Sequence, residues 1–123
     1  MLCIKTTKNL SEDELKSLGE LIDISYLQDY EMIVYEKIDK DIVGCITISQ
    51  KKEHKLTLID NHFVKDTHRN LGIGKKLLEM ARKLTPFSLF LCITPEEDLI
   101  KYYEKQGFEV EYTENNIIMV QRK

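Results

Sequence analysis

The chain has 123 residues, of which 42% are apolar, and its net charge is −3. That length suits one domain with one hydrophobic core, so we predict a single domain over residues 1–123. The acidic balance argues against a nucleic-acid-binding protein, which would present a basic face. No apolar run reaches membrane-spanning length and the first residues lack a secretion signal. We therefore expect a soluble, cytoplasmic protein that binds neither nucleic acid nor membrane.

The first half of the chain predicts a strand, a helix and three more strands. Leu2–Thr7 has the composition of a short strand, and Ser11 with Glu14 forms the pattern of a helix-capping box. Apolar residues at helical spacing extend that helix to about residue 27. Strands follow at residues 32–38, 42–49 and 56–64, of which the first two form a hairpin.

The second half predicts two helices and three strands. Apolar residues at helical spacing place an amphipathic helix over residues 73–84, and a nearly continuous apolar run predicts a central strand at 87–93. Pro95 begins the next helix, which Gly107 ends. The last hairpin joins strands 108–112 and 117–121, and the apolar edge of its second strand could be covered by the protein's own core or by a second subunit in a homodimer. The order predicts a mixed α/β fold around one sheet.

Three cysteines lie far apart in the sequence. Cys3, Cys45 and Cys92 are odd in number and each sits in an apolar run. This spacing favours buried, reduced thiols over a disulfide framework or a metal site. We predict no metal.

A glycine-containing turn separates the predicted strand ending at Val64 from the helix that follows. Arg69 opens the sequence Arg-Asn-Leu-Gly-Ile-Gly, with glycines at 72 and 74. Glycine lets the backbone approach a ligand closely, and the first amides of a helix have no partner within the helix. The turn therefore predicts a site for a phosphate or pyrophosphate.

Charge is concentrated around this turn. Residues 65–83 contain six basic and two acidic side chains, a net charge of +4, which leaves −7 for the remainder. The basic segment suits a phosphate group, and the acidic remainder favours a cationic partner.

Two other phosphate-binding motifs do not fit the turn. A P-loop needs Gly-x-x-x-x-Gly-Lys-Ser/Thr, but Lys76 follows Gly74-Lys75 and no second glycine has the required spacing. A dinucleotide-binding Gly-x-Gly-x-x-Gly would need a third glycine where Leu77 stands.

The turn and its context resemble the GNAT family of N-acetyltransferases. The family's pattern is Gln or Arg, two residues, Gly, one residue, then Gly or Ala, directly after an apolar strand, and residues 69–74 fit it fully. A second segment, Tyr103-Glu104-Lys105-Gln106-Gly107-Phe108, resembles the family's Tyr-Glu-Lys-x-Gly-Phe. The resemblance implies a mixed, mostly antiparallel sheet of about seven strands flanked by helices, and acetyl-CoA as co-substrate.

The same resemblance implies which residues bind the cofactor. The pyrophosphate would be held by the backbone amides of Asn70, Leu71, Gly72, Ile73, Gly74 and Lys75. Arg69, with Lys75 or Lys76, would add positive charge. The pantetheine arm would pair with the backbone of His62, Phe63 and Val64, on a strand that in the family carries a bulge and splays from its neighbour. Glu96 departs from the pattern, because the family often has at this position an Asn that contacts the cofactor.

For catalysis, the resemblance implies that an amine attacks the thioester and that Tyr103 protonates the departing sulfur. Neighbouring Tyr102 is expected in the core. The base stays open among Asp60, His62 and water. Strand alternation predicts that Asp60 and His62 share one face, with Asn61 and Phe63 on the other.

The predicted function is acetyl transfer from acetyl-CoA to a primary amine of a small-molecule or peptide acceptor. The alternative is a non-catalytic acyl-CoA-binding module with a regulatory or interaction role.

Overall fold

The computed structural model describes the backbone of residues 1–123 and every side chain except those of Gln28 and Asp29. The helices and strands follow one another in the order predicted, with short 3₁₀ helices between some of them. They are β1 (Leu2–Thr6), α1 (Glu12–Leu18), β2 (Met32–Ile38), β3 (Asp41–Lys51), β4 (Leu56–Val64), α2 (Ile73–Leu84), β5 (Ser88–Ile93), α3 (Glu97–Lys105), β6 (Glu109–Thr113) and β7 (Ile117–Gln121).

All seven strands form one sheet in the order β1-β2-β3-β4-β5-β7-β6. The β4–β5 pair is parallel, and every other neighbouring pair is antiparallel. This confirms the mixed, mostly antiparallel sheet of about seven strands. It also places the change from antiparallel to parallel pairing at β4, the strand that leads into the glycine turn.

Apolar side chains cover the sheet on both faces. One cluster joins the inner face of α2 and residues near α3 to the sheet, and its fully buried members include Ile46, Ile48, Leu77, Leu89 and Met119. The second cluster packs α1 and the segment after it against β2 and β3, around Leu18, Ile33, Tyr35 and Cys45. Two independent clusters let each face of the sheet carry different polar groups near β4.

The first helix is shorter than predicted. It ends at Leu18, and after a turn the chain forms a 3₁₀ helix over Ile24–Asp29. Asp23 starts this second segment, because its carboxylate accepts a hydrogen bond from the amide of Ser25 at 2.9 Å. The apolar spacing continued past Leu18 because Leu21 and Ile22 pack on the same cluster as α1.

The final strand is not an edge of the sheet, and the alternative in which the protein's own core covers it is confirmed. β7 lies between β5 and β6, and four of its five residues are buried. The edge strand on this side of the sheet is β6, whose residues are all exposed and include Glu109 and Glu111. Charged residues on an edge strand discourage pairing with another chain.

The cysteine prediction holds only in part. All three thiols are free, and Cys45 is buried, which raises its pKa to about 12. Cys3 is partly buried, but Cys92 is exposed on β5. Among the described residues, no helix is long and apolar enough to cross a membrane.

The predicted capping box at the start of α1 is present and extends into a buried network. The side chain of Glu14, only 7% exposed, accepts hydrogen bonds from Lys5 at 2.7 Å, from the Ser11 amide at 2.9 Å, and from the hydroxyl of Tyr35. Burial alone would raise the pKa of Glu14, but these hydrogen bonds outweigh it and hold the pKa at about 2, below the ordinary 4.5.

We expect Glu14→Gln to lower the free energy of unfolding at pH 7 by about 1–3 kcal/mol, the usual cost of breaking a buried charged hydrogen-bond network. Because the folded pKa lies below the unfolded one, the carboxylate stabilises the wild type above pH 4.5 and loses this effect as the pH falls towards 2. Urea unfolding at pH 7 and pH 3 should therefore show a smaller pH effect in the variant. The exposed neighbour Glu12 is the control, and an equal effect of Glu12→Gln would contradict the assignment.

Candidate active site

The parallel strands β4 and β5 separate partway along their length. They pair only at Leu56 with Ser88, Thr57 with Leu89 and Leu58 with Phe90, although both strands continue beyond these residues. The remainder of β4 has no β5 partner on this side, which opens a slot between the strands.

A β-bulge lies at the point where the strands separate. On the other side of β4, Thr47 pairs with Asn61 but Ile48 pairs with Ile59, so Asp60 is an extra residue without a direct partner. Bulges bend a strand and increase its twist, which accounts for β4 leaving β5 here.

The bulge changes which face each side chain meets, so the predicted alternation is wrong. The carboxylate of Asp60 accepts a hydrogen bond from the Ser49 hydroxyl at 2.7 Å, and the side-chain amide of Asn61 donates one to the Thr47 hydroxyl at 3.0 Å. Both partners are odd-numbered residues of β3, on the face that Cys45 shares with α1. His62 instead lies on the opposite face, against α2 and α3.

The glycine turn contains two residues with a left-handed backbone conformation. Asn70 and Gly72 both take positive φ, 64° and 80°. A Cβ at Gly72 would meet no atom of the described residues within 4 Å, so this position faces open space. Gly72 caps α2 without any side-chain hydrogen bond to the first amides of the helix. The turn therefore leaves these amides and the positive end of the helix dipole available to an anion.

A cavity of about 750 Å³ connects the turn to the slot. Of the ten residues predicted to bind the cofactor, it is lined by all but the exposed Leu71. They are His62, Phe63, Val64, Arg69, Asn70, Gly72, Ile73, Gly74 and Lys75. Tyr103 joins this lining from α3. The same wall contains four residues for which no role was predicted, His68, Asp98, Leu99 and Gln106.

Arg69 contacts the strand before the turn. Its guanidinium pairs with Asp66 at 2.9 Å and lies 5.5 Å from the centroid of the Phe63 ring, and its Nε donates to the Val64 carbonyl at 3.1 Å. These contacts hold the end of β4 against the turn, in addition to any charge that Arg69 contributes to the cavity.

Tyr102 is not a core residue, contrary to the prediction. Its side chain is 37% exposed and lines the cavity. A Cβ at Gly74 would lie only 2.7 Å from the Tyr102 hydroxyl. A glycine at position 74 thus lets α3 approach the start of α2. Burial raises the pKa of Tyr102, so its hydroxyl stays protonated.

Tyr103 is the buried tyrosine, with 6% of its surface exposed. Its hydroxyl lies 2.8 Å from Nδ1 of His62, whose Nε2 lies 2.9 Å from the carbonyl oxygen of Gly74. Phe108 packs edge-on against the Tyr103 ring, with 5.7 Å between the ring centroids. This contact joins the first and last residues of the second sequence motif. Burial, with a smaller effect from Tyr102, raises the pKa of Tyr103, whereas burial lowers that of His62 despite the Gly74 contact.

A second cavity, of about 200 Å³, lies in the slot itself. His62, Leu99 and Tyr103 line both this cavity and the larger one. The smaller cavity also contains Asp60 and the exposed Cys92. Burial raises the pKa of Asp60, although its Ser49 hydrogen bond and the charge of Lys51 oppose the shift. Asp60 is therefore a stronger base than an exposed carboxylate.

Glu96 lines neither cavity. It is exposed, and its carboxylate accepts a hydrogen bond from the Thr94 hydroxyl. The carboxylate is thus held at the start of α3 by its neighbour, away from the cavity that the glycine turn lines.

The fold is shared with acyl-CoA N-acyltransferases. An acyl-CoA N-acyltransferase from Pseudomonas aeruginosa superposes with a TM-score of 0.78 at 18% identity over 98% of each chain. The PaiA N-acetyltransferase from Thermoplasma acidophilum, in complex with coenzyme A, gives 0.77 at 17% identity over 100% of this chain and 99% of that one. A GNAT acetyltransferase from Elizabethkingia anophelis with acetyl-CoA bound gives 0.74 at 20% identity over 99% and 98%.

The sequence itself matches the acetyltransferase (GNAT) domain over residues 28–110, more than half of the chain. The protein therefore belongs to the GNAT acetyltransferase family. This confirms the resemblance drawn from residues 69–74 and 103–108. No curated protein sequence matches the chain significantly.

Proposed function

We propose that the protein transfers an acetyl group from acetyl-CoA to a primary amine of a small-molecule or peptide acceptor. The observation that carries this proposal is the position of Tyr103, a buried hydroxyl on the wall shared by the cavity at the glycine turn and the cavity in the slot. A phosphate-binding turn alone would suit any anion, whereas a proton donor at the junction suits acyl transfer.

The described residues fit an acyl-CoA. The amides at the start of α2, with Lys75 beside them, would bind the pyrophosphate at the open side of Gly72. The pantetheine arm carries amide groups, and β4 beyond Leu58 offers backbone groups with no β5 partner. This arm would lie along His62, Phe63 and Val64 as an additional strand. Its thioester would then reach the slot near Tyr103.

The chemistry requires two proton transfers. The amine nitrogen forms a bond to the acetyl carbonyl carbon, and collapse of the tetrahedral intermediate breaks the carbon–sulfur bond. Tyr103 donates a proton to the departing CoA sulfur, and its raised pKa keeps the hydroxyl protonated until then. Asp60, in the slot and with a raised pKa, is suited to accept the proton that the amine loses.

Binding and turnover test this proposal in sequence. Calorimetric titration should give saturable, one-to-one binding of acetyl-CoA and of CoA. Release of the CoA thiol should then accelerate with one or more members of a panel of amino acids, polyamines, aminoglycosides and peptides with a free amino terminus. No binding of either nucleotide would overturn the proposal. Binding without turnover across the panel would favour the non-catalytic acyl-CoA-binding module.

A further inference from the structure

His62 connects three parts of the site with one ring. The residue belongs to β4, its Nδ1 lies 2.8 Å from the hydroxyl oxygen of Tyr103 on α3, and its Nε2 lies 2.9 Å from the carbonyl oxygen of Gly74 on α2. Both ring nitrogens therefore have a partner within the protein, and neither is left for an incoming amine.

The Gly74 contact determines the tautomer of this histidine. A backbone carbonyl can only accept a hydrogen bond, so Nε2 must carry a hydrogen. Burial lowers the pKa of His62, and the ring is neutral at pH 7. Nδ1 then has a lone pair and no hydrogen, which makes Tyr103 the donor in the other contact.

We propose that His62 is a positioning residue, whose neutral Nε2–H tautomer holds the Tyr103 hydroxyl at the junction of the two cavities and ties it to the glycine turn. This inference rests on the proposed function, in which Tyr103 is the proton donor. The contact fixes the hydroxyl oxygen, and rotation about the Cζ–Oη bond turns its hydrogen from Nδ1 to a sulfur without moving that oxygen. His62 is thereby removed from the open choice of base, which leaves Asp60 or water.

Replacing His62 with glutamine or with asparagine tests the two contacts of the ring one at a time. In His62→Gln the amide nitrogen reaches the Nε2 position and can still donate to Gly74, but no acceptor faces Tyr103. In His62→Asn the amide oxygen reaches the Nδ1 position and can still accept from Tyr103, but the Gly74 contact is lost. The pair therefore distinguishes positioning of Tyr103 from support of the turn.

We expect His62→Gln to lower kcat about tenfold or more, since small displacements of a catalytic group are costly, while Kd for acetyl-CoA changes less than about threefold. The loss of kcat in His62→Asn should be severalfold smaller. In a Tyr103→Phe background, neither substitution should lower kcat further, because residues that act as a unit are not additive. His54→Gln, in an exposed turn away from both cavities, is the control.

Nuclear magnetic resonance of ¹⁵N-histidine-labelled protein tests the arrangement without any acceptor. The chain has three histidines, so His54→Gln and His68→Gln assign the spectrum. At pH 7 His62 should show the neutral Nε2–H pattern, and its Nδ1 resonance should shift in Tyr103→Phe.

A charged His62 ring or the Nδ1–H tautomer would overturn the inference. Equal losses of kcat in His62→Gln and His62→Asn would also overturn it if they persisted in the Tyr103→Phe background. A rise in kcat in His62→Gln would also overturn it, because Nδ1 would then be competing for the proton. The resonance pattern is independent of turnover. Failure of the proposed function would therefore appear as an inactive protein with the expected tautomer.

Discussion

Replacing Tyr103 with phenylalanine should lower kcat by about 10²–10⁴-fold, the usual contribution of a positioned general acid. The buried ring, packed on Phe108, would keep its place, so the change removes only the hydroxyl. Kd for acetyl-CoA should stay within about threefold of wild type, because the proposed binding contacts come from the turn and β4. Steady-state kinetics with an accepted amine and calorimetry with acetyl-CoA measure the two quantities separately.

The adjacent tyrosine provides a matched control for this substitution. Tyr102 lines the same cavity, but the two ring nitrogens of His62 contact Tyr103 and Gly74 instead. Tyr102→Phe should cost severalfold at most in kcat. Equal losses in the two variants would show that the aromatic pair supports the cavity and that Tyr103 has no special part in proton transfer.

A valine at position 72 should weaken acetyl-CoA binding about 100-fold, or nearly 3 kcal/mol. Gly72 has a φ of 80°, which costs a residue with a Cβ about 1–2 kcal/mol, and a β-branched residue is a pronounced outlier there. The new side chain would also occupy the open space in front of the first amides of α2. Calorimetric titration with acetyl-CoA measures the loss directly.

The control for Gly72→Val is a second glycine with positive φ. Gly107, at 93°, follows α3 and does not line the cavity. Gly107→Ala should lower the melting temperature through the same backbone strain and through a Cβ that would lie 2.7 Å from the side-chain nitrogen of Gln121, yet leave Kd for acetyl-CoA near the wild-type value. If both variants weakened binding in proportion to their loss of stability, the turn would have no direct role in holding the co-substrate.

Local patterns predicted the helices and strands. The amphipathic face of α2 and the capping box at Ser11 each depend on a few neighbouring residues, and each is present. The pairing of Tyr103 with Phe108 likewise lies within one short segment. Sequence patterns of this short range predict structure well because the structure they specify does not depend on contacts with distant residues.

The faces of β4 could not be predicted, because they depend on pairing with a strand far along the sequence. The extra residue at Asp60 is defined only against Thr47 and Ile48 on β3. Without it, alternation groups Asp60 with His62 and hides the fact that one meets Ser49 and the other Tyr103. One inserted residue therefore decides which side of the sheet each polar group faces.

The exposure of Cys92 and Tyr102 was also not predicted from the sequence. Cys92 lies in an apolar run, which is typical of a covered strand, whereas the core expectation for Tyr102 came from the family resemblance. Cys92 is exposed on β5 where the strands separate, and Tyr102 is partly exposed on the cavity wall beside Gly74. Openings of this kind arise from the absence of contacts, which residue types do not encode.

The two parts of the sheet, β1 to β4 and β5 with β7 and β6, share only three residue pairs. What joins them is the apolar cluster beneath α2, where Ile46 and Ile48 from one part meet Leu89 and Met119 from the other. Because side chains hold the two parts together, the backbone groups of β4 beyond Leu58 need no β5 partner. The fold therefore contains an internal strand edge that is available for hydrogen bonds to an extended ligand.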